Sequence, residues 1–339
     1  MLRTHIRNQL NLSTRRLNSY SAKLSLKEIN PFVIEAKYAV RGKIPARAEE
    51  LKLKLYEDPK SVPFDKIIFS NIGNPQQLGQ RPITYYRKVL SILQDPTLLE
   101  VLKDKDCPAY MKAQYPSDVI ARSERMLNDI GLSVGAYSSS QGIKGFRDSV
   151  ANFISERDGF KADPNDIFLT GGASSAVNYV LQILCNGRKT GVLIPIPQYP
   201  LYTATLALND CNAVPYYLKE EEGWSLDCNT IRDSIKEQTD KNVKVNCMVV
   251  INPGNPTGAI LSKEKMVDII NVCNENGLVL ISDEVYQENC YQGDFISMRK
   301  VLKELQQEHK GKYDNVQLVS LHSTSKGVSG ECGQRGGYM

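Results

Sequence analysis

The chain has 339 residues, 41% of them hydrophobic and 24% charged, with a formal net charge of +4. That length can bury a sizeable core and suits roughly two domains. The small charge and the lack of a basic stripe interleaved with aromatics argue against nucleic-acid binding, and no apolar stretch approaches the roughly 20 residues a membrane-spanning helix needs. The eight cysteines are scattered without a C-x-x-C pair, and several sit inside apolar runs, as Cys185 does after Leu184. They read as reduced core thiols. With only His5, His309 and His322 available, a histidine-rich metal site or a Ser-His-Asp triad is not expected, and no metal is assigned.

Residues 1–27 differ from the rest. They carry Arg3, Arg7, Arg15, Arg16, Lys23 and Lys27, and the first acidic residue is Glu28. Leu2, Ile6, Leu10 and Leu17 fall on one helical face. An amphipathic, arginine-rich, acid-free start has the composition of a mitochondrial transit peptide, and the apolar run of a secretory signal is missing. The alternative is a basic tail with no address, in a cytoplasmic protein.

Next comes a turn-rich loop at Asn71-Ile72-Gly73-Asn74-Pro75-Gln76, then Tyr85-Tyr86 in an expected helix. A second loop, Gly135-Ala136-Tyr137-Ser138, leads into a helix predicted from Ile143, Phe146, Val150, Phe153 and Ile154, with Gly159 as its C-terminal stop. From about residue 165 short apolar runs alternate with helices. The runs are 167–170, 191–194, 247–251, 278–282 and 316–319. One intervening helix is marked by Met266, Ile269, Ile270 and Cys273 between Ser262 and Gly277. Near-continuous apolar strands separated by amphipathic helices predict an α/β fold with a mostly parallel sheet covered on both faces. Ligands of such sheets bind beyond the carboxyl ends of the strands.

Each strand end offers something chemical. Thr170-Gly171-Gly172-Ala173-Ser174 precedes a helix, so it forms either an anion cup or an ordinary N-cap. Pro197-Gln198-Tyr199-Pro200 aims an aromatic either at a planar ligand or into the core. Asn252-Pro253-Gly254-Asn255-Pro256-Thr257-Gly258 is a constrained turn that presents Asn255 as a neutral donor. Asp283 follows an apolar run and needs a partner: a protonated ring nitrogen, or the start of a following helix. Tyr286 stands three residues on. The last strand empties into Ser323-Thr324-Ser325-Lys326-Gly327, with Arg335 between glycines shortly after. An arginine fork suits a phosphate. Lys326 is either an exposed loop lysine or an amine whose pKa, ordinarily about 10.4, is lowered by desolvation enough for Schiff-base chemistry.

These motifs in this order resemble the fold type I pyridoxal-phosphate aminotransferases of class I/II. The stretches that carry the resemblance are Asn255-Pro256-Thr257-Gly258, Ser282-Asp283-Glu284-Val285-Tyr286 and Ser323-Thr324-Ser325-Lys326. Within that family Gly79-Gln80-Arg81-Pro82-Ile83-Thr84, Gly135-Ala136-Tyr137-Ser138 and Gly330-Glu331-Cys332-Gly333 look most like the alanine aminotransferases. The resemblance implies a seven-stranded type of sheet sandwiched by helices, pyridoxal 5′-phosphate as cofactor, and exchange of the amino group of L-alanine with 2-oxoglutarate. It makes Lys326 the residue that holds the cofactor as an internal aldimine and shuttles the proton. Asp283 would pair with the ring nitrogen, Asn255 and Tyr286 with the phenolate oxygen, and Tyr199 would stack on the ring. The Ala173 and Ser174 amides, Ser323 and Arg335 would hold the phosphate. Tyr137 would reach the phosphate of a neighbouring subunit in a homodimer, and Gly73 would border the substrate.

The expected organisation is a leader at 1–27, an N-terminal arm with the first part of a small domain at 28–130, and a cofactor-binding large domain at 131–339. Family members continue on the order of another hundred residues, including the arginine that reads the substrate carboxylate. The chain stops at Met339. It is thus expected to be either a fragment or a short product lacking the C-terminal small domain, and its own activity is left open. An aminotransferase for another amino acid is the alternative.

Overall fold

The computed structural model describes residues 27–131 and 133–339; all but the last residue of the expected leader lie outside them. Seven strands form one sheet: β1 (Leu169–Thr170), β2 (Thr190–Ile196), β3 (Asn212–Tyr217), β4 (Lys244–Ile251), β5 (Val279–Asp283), β6 (Leu318–Ser323) and β7 (Gly337–Tyr338). Their order is β1-β7-β6-β5-β4-β2-β3. The pairs β6–β5, β5–β4, β4–β2 and β2–β3 are parallel, while β7 runs antiparallel to both β6 and β1. The predicted, mostly parallel sheet is therefore present.

Among the described residues twelve α-helices precede and cover it: α1 (Pro31–Glu35), α2 (Lys43–Glu57), α3 (Thr84–Gln94), α4 (Thr97–Lys103), α5 (Ala109–Gln114), α6 (Ser117–Ile130), α7 (Lys144–Asp158), α8 (Ala173–Leu184), α9 (Leu201–Leu208), α10 (Cys228–Asp240), α11 (Lys263–Asn276) and α12 (Met298–Glu308). The two-residue period of the strands sends alternate side chains to opposite faces. Leu193, Met248, Val250 and Leu280 pack with Ile231, Met266, Ile269, Ile270 and Val301 of α10–α12. Val192, Ile194, Cys247, Val249, Ile281 and Leu321 pack with Val177, Leu181, Tyr202 and Leu206 of α8 and α9. Each aliphatic side chain so enclosed contributes roughly 1.5–3 kcal/mol, and that is what fixes the strand register.

The helix predicted from Met266 to Cys273 runs Lys263–Asn276, with the Ser262 side chain accepting from the Lys265 N–H and Gly277 left-handed at the end. Gly159 ends α7 in the same way. Two strands escaped the sequence reading. β3 contains Pro215, but it is an edge strand, where a missing N–H is tolerated; its buried Val214 and Tyr216 alternate with exposed neighbours. β7 has only two residues and owes its existence to β6 and β1. The run expected at 167–170 shrinks to β1, with Ile167 buried in a satellite cluster. The run expected at 316–319 becomes β6, which begins two residues later and reaches Ser323. The helices α3–α6 bury a separate cluster around Val89, Ile92, Leu93, Val119 and Leu127.

Candidate active site

The carboxyl ends of the parallel strands open into a cavity of about 1410 Å³. Its walls include Gly73, Ala173, Ser174, Tyr199, Asn255, Asp283, Tyr286, Ser323, Lys326 and Arg335. Because β2, β4, β5 and β6 are sheet neighbours, residues separated by more than a hundred positions converge there. Tyr137 is fully exposed and does not line the cavity of its own chain.

Asp283 ends β5 in register with Ile251 and Leu321 and is 7% exposed. A turn follows it, with no helix before α12, so it does not cap a helix. Its Oδ2 accepts from the Tyr202 hydroxyl at 2.7 Å and its Oδ1 from the Val285 N–H at 3.2 Å. Burial pushes the carboxyl up from its ordinary range, against the pull of these two hydrogen bonds. Among the described residues it has no ion-pair partner. Tyr202 comes from α9, an apolar helix in which a phenol needs a buried acceptor; that need was the signal that could have found it.

Lys326 is half-buried on the turn after β6. Its Nζ donates to the Gly73 carbonyl and lies 5.8 Å from the Tyr286 ring centroid. Burial pulls the amine below the usual lysine range, partly offset by Cys332. A Cβ built on Gly73 would stand 2.9 Å from Nζ and 3.8 Å from the Tyr286 hydroxyl, so glycine there permits a close approach. Burial also raises the Tyr286 phenol, with Asp283 adding to the effect.

Gly172 precedes α8 with φ 96° and ψ 165° and no side chain caps that helix, which leaves first-turn N–H groups facing outward. Arg335 lies against this turn: Nη2 donates to the Gly171 carbonyl at 3.0 Å and Nη1 to the Cys332 carbonyl at 2.8 Å. A Cβ on Gly172 would come within 2.5 Å of Nη2. Glycine, helix start and guanidinium thus form a cup for an anion. Tyr199 shares a hydroxyl hydrogen bond with Tyr38 and meets its ring edge-on, centroids 6.1 Å apart. Neither Tyr38 nor the ion pair of Arg87 with Glu331, both on the cavity wall, was singled out from the sequence. Tyr38 and Arg87 lie in stretches that no motif marks, and Glu331 enters the sequence reading only within Gly330-Glu331-Cys332-Gly333.

The family model for aminotransferases of class I and II matches residues 107–339. The chain belongs to the class I and II aminotransferases. It is similar to the protein named mitochondrial alanine aminotransferase of Saccharomyces cerevisiae, at 59% identity over 93% of this chain and 53% of that protein. A second protein of that yeast, named an inactive alanine aminotransferase, is 51% identical over 94% of this chain and 63% of its own length. The chain thus spans between about half and two thirds of these relatives. Among solved structures, an alanine aminotransferase from Pyrococcus furiosus superposes with a TM-score of 0.66 at 23% identity, over 92% of this chain and 63% of that one; this likeness supports the fold.

Class I and II aminotransferases use pyridoxal 5′-phosphate, and the site fits it. The cup at Gly172 and Arg335 suits a phosphate, the buried Asp283 carboxyl has no ion-pair partner among the described residues where a protonated ring nitrogen would supply one, and Lys326 offers an amine on the same cavity wall. Among the described residues no cluster of His, Cys, Asp and Glu is arranged to hold a metal, and no helix is long and apolar enough to cross a membrane.

Proposed function

We propose that this aminotransferase moves the amino group of L-alanine to 2-oxoglutarate, yielding pyruvate and L-glutamate, with Lys326 as its catalytic amine. The observation that carries this reading is one cavity, at the ends of the adjacent strands β6 and β5, that holds both an amine depressed by burial and a buried carboxyl with no ion-pair partner among the described residues. The yeast relative's name supports alanine as the donor. The relative named inactive makes the arrangement of residues, rather than identity, the stronger support.

Bound in the cavity, pyridoxal phosphate supplies an aldehyde for amine exchange and a ring able to take up the electron pair left when an α-proton departs. Lys326 Nζ would hold the cofactor at its aldehyde carbon, with loss of water, and, once released, would be the base placed to take the α-proton and return it. Asp283 would keep a proton on the ring nitrogen, and the Tyr202 hydroxyl, which donates to it, would steady it as a charged partner. Of the other cavity residues, Asn255 and Tyr286 would hold the ring oxygen, Tyr199 the ring face, and Ala173, Ser174, Ser323 and Arg335 the phosphate. Gly73 borders the substrate. Tyr137, exposed on its own chain, is read as reaching the phosphate site of a second subunit in a homodimer. The basic, acid-free composition of 1–27 and the mitochondrial name of the yeast relative support import into the mitochondrial matrix.

The test is direct. Protein isolated as its cell makes it, given pyridoxal phosphate, should show the visible absorbance of lysine-bound cofactor and turn over alanine with 2-oxoglutarate. Lys326→Ala should lose both; full turnover by that variant would defeat the assignment. A panel of amino donors against 2-oxoglutarate decides whether alanine is preferred.

A further inference from the structure

The turn that carries Lys326 is stitched to the N-terminal part of the chain along a seam that the functional reading leaves unused. The Gly73 carbonyl accepts from Lys326 Nζ. Gln76 Nε2 donates to the Gly330 carbonyl at 3.1 Å, and Gln80 Nε2 to the Val328 carbonyl at 3.1 Å. Gly330 has φ 55°, and a Cβ there would stand 2.9 Å from the Gln80 amide, so the two segments touch backbone to side chain. The seam ends in an ion pair: the Arg87 guanidinium grips both carboxylate oxygens of Glu331, one at 2.9 Å.

The two partners differ in exposure. The Glu331 side chain is 7% exposed and the Arg87 side chain 38%. An exposed pair contributes little, but a buried carboxylate that loses its partner must either leave the interior or be protonated. Glu331 is tied to the lysine turn by its own backbone, whose N–H donates to the Thr324 carbonyl at 2.8 Å. Inside the turn the Gly330 N–H donates to the Lys326 carbonyl at 3.2 Å. Arg87, for its part, sits on α3, which anchors itself through Val89, Ile92 and Leu93 in the N-terminal cluster.

We propose that Arg87 is a positioning residue for Lys326: through Glu331 it fixes the turn that carries the lysine, and so sets where Nζ stands in the cavity. This rests on reading Lys326 as the cofactor-bearing amine. The packing of α3–α6 thereby becomes part of the lysine's environment, although among the described residues these helices reach the cavity wall only through Arg87. The titratable groups facing the amine are Tyr286 from the turn after β5 and Cys332 from its own turn, with Asp283 across the cavity; none of these is altered in the test.

The test reads Lys326 itself. In cofactor-free protein the pH dependence of Lys326 acetylation by acetic anhydride, followed by peptide mass spectrometry, gives the midpoint at which the amine becomes reactive. In the unaltered protein that midpoint should lie below that of N-acetyl-lysine amide. Arg87→Met and Glu331→Gln should both move it up towards that reference, Arg87→Lys less so, and the double exchange Arg87→Glu with Glu331→Arg should bring it back. Pyridoxal-phosphate retention by Arg87→Met should weaken on the order of tenfold. Arg232→Met, which breaks an exposed pair with Glu275 away from the cavity, serves as the control and should leave the midpoint in place. An unmoved midpoint in Arg87→Met and Glu331→Gln, with only melting temperature lowered, overturns the inference, as does an equal shift in the control. Absence of cofactor uptake by the unaltered protein would defeat the functional reading instead, and the labelling result would still decide this one.

Discussion

Gly73 gives its backbone carbonyl to Lys326 Nζ across 253 residues of chain. The contact joins the N-terminal loop to the turn after β6 at close quarters: a Cβ on Gly73 would meet Nζ at 2.9 Å and push it aside.

Replacing that hydrogen tests the geometry with minimal damage to the fold. Gly73 does not occupy the left-handed region and the atom it would meet is the far end of a flexible side chain, so Gly73→Ala should leave the melting temperature nearly unchanged. It should displace the amine by up to about 1 Å and reduce transamination on the order of a hundredfold. A steady-state assay beside a thermal melt separates the two effects.

Tyr202→Phe removes the shorter of the two hydrogen bonds to Asp283. Leaving a buried acceptor short of a donor should cost about 1–3 kcal/mol in urea unfolding. The carboxyl, already raised by burial, should go up further, because the lost hydrogen bond favoured its charged form. The variant should therefore hold pyridoxal phosphate less tightly, most clearly towards acidic pH, in equilibrium dialysis.

Gly172→Ala attacks the anion cup. The φ 96° and ψ 165° of Gly172 belong to a region essentially reserved for glycine, worth about 1–3 kcal/mol against any other residue, and the new Cβ would push on Arg335 Nη2. Stability should fall by that amount. Affinity for inorganic phosphate, measured by calorimetry on cofactor-free protein, should fall with it, and wild-type phosphate affinity in this variant would contradict the cup.

Glu284 gives a pH signature away from the cavity. It is 1% exposed and accepts from the Ser282 hydroxyl and the Met298 N–H. Arg157 Nη1 lies 3.6 Å away, with Asp158 beyond it. Burial outweighs Arg157 and pushes its carboxyl up from 4.5 to about 7. A folded-state pKa above the unfolded one means that the group's contribution is complete below about pH 4.5 and is lost as pH rises through about 7, up to roughly 3 kcal/mol in all. Glu284→Gln fixes the neutral form. Its stability relative to the unaltered protein should therefore rise between pH 5 and pH 8, as denaturant unfolding at the two values would show.

Much of the site was legible in the chain because it is built at strand ends. A buried parallel strand is a run of apolar residues, and the run stops where the backbone leaves the sheet. Asp283, Asn255, Tyr199 and Lys326 are conspicuous as the first chemical groups after such runs, and Gly171-Gly172 and Arg335 as glycine-flanked turns. Local signals also marked α7 and α11, whose caps depend on near neighbours only.

What the chain order could not reveal was who meets whom. The sheet order β6-β5-β4-β2 brings Lys326, Asp283, Asn255 and Tyr199 to one cavity, and it follows from burying both sheet faces at once rather than from any local stretch. Tyr202 finds Asp283, Arg87 finds Glu331, and Gly73 finds Lys326 only when helices and loops far apart in sequence pack on that sheet. β7 exists only because β6 and β1 flank it, and β3 only because an edge strand tolerates Pro215. Amino-acid order determined the chemistry available at each strand end, since that depends on residue type beside an apolar run. Tertiary packing decided the distances, burial and proton affinities, since desolvation and hydrogen bonding depend on every neighbour in space.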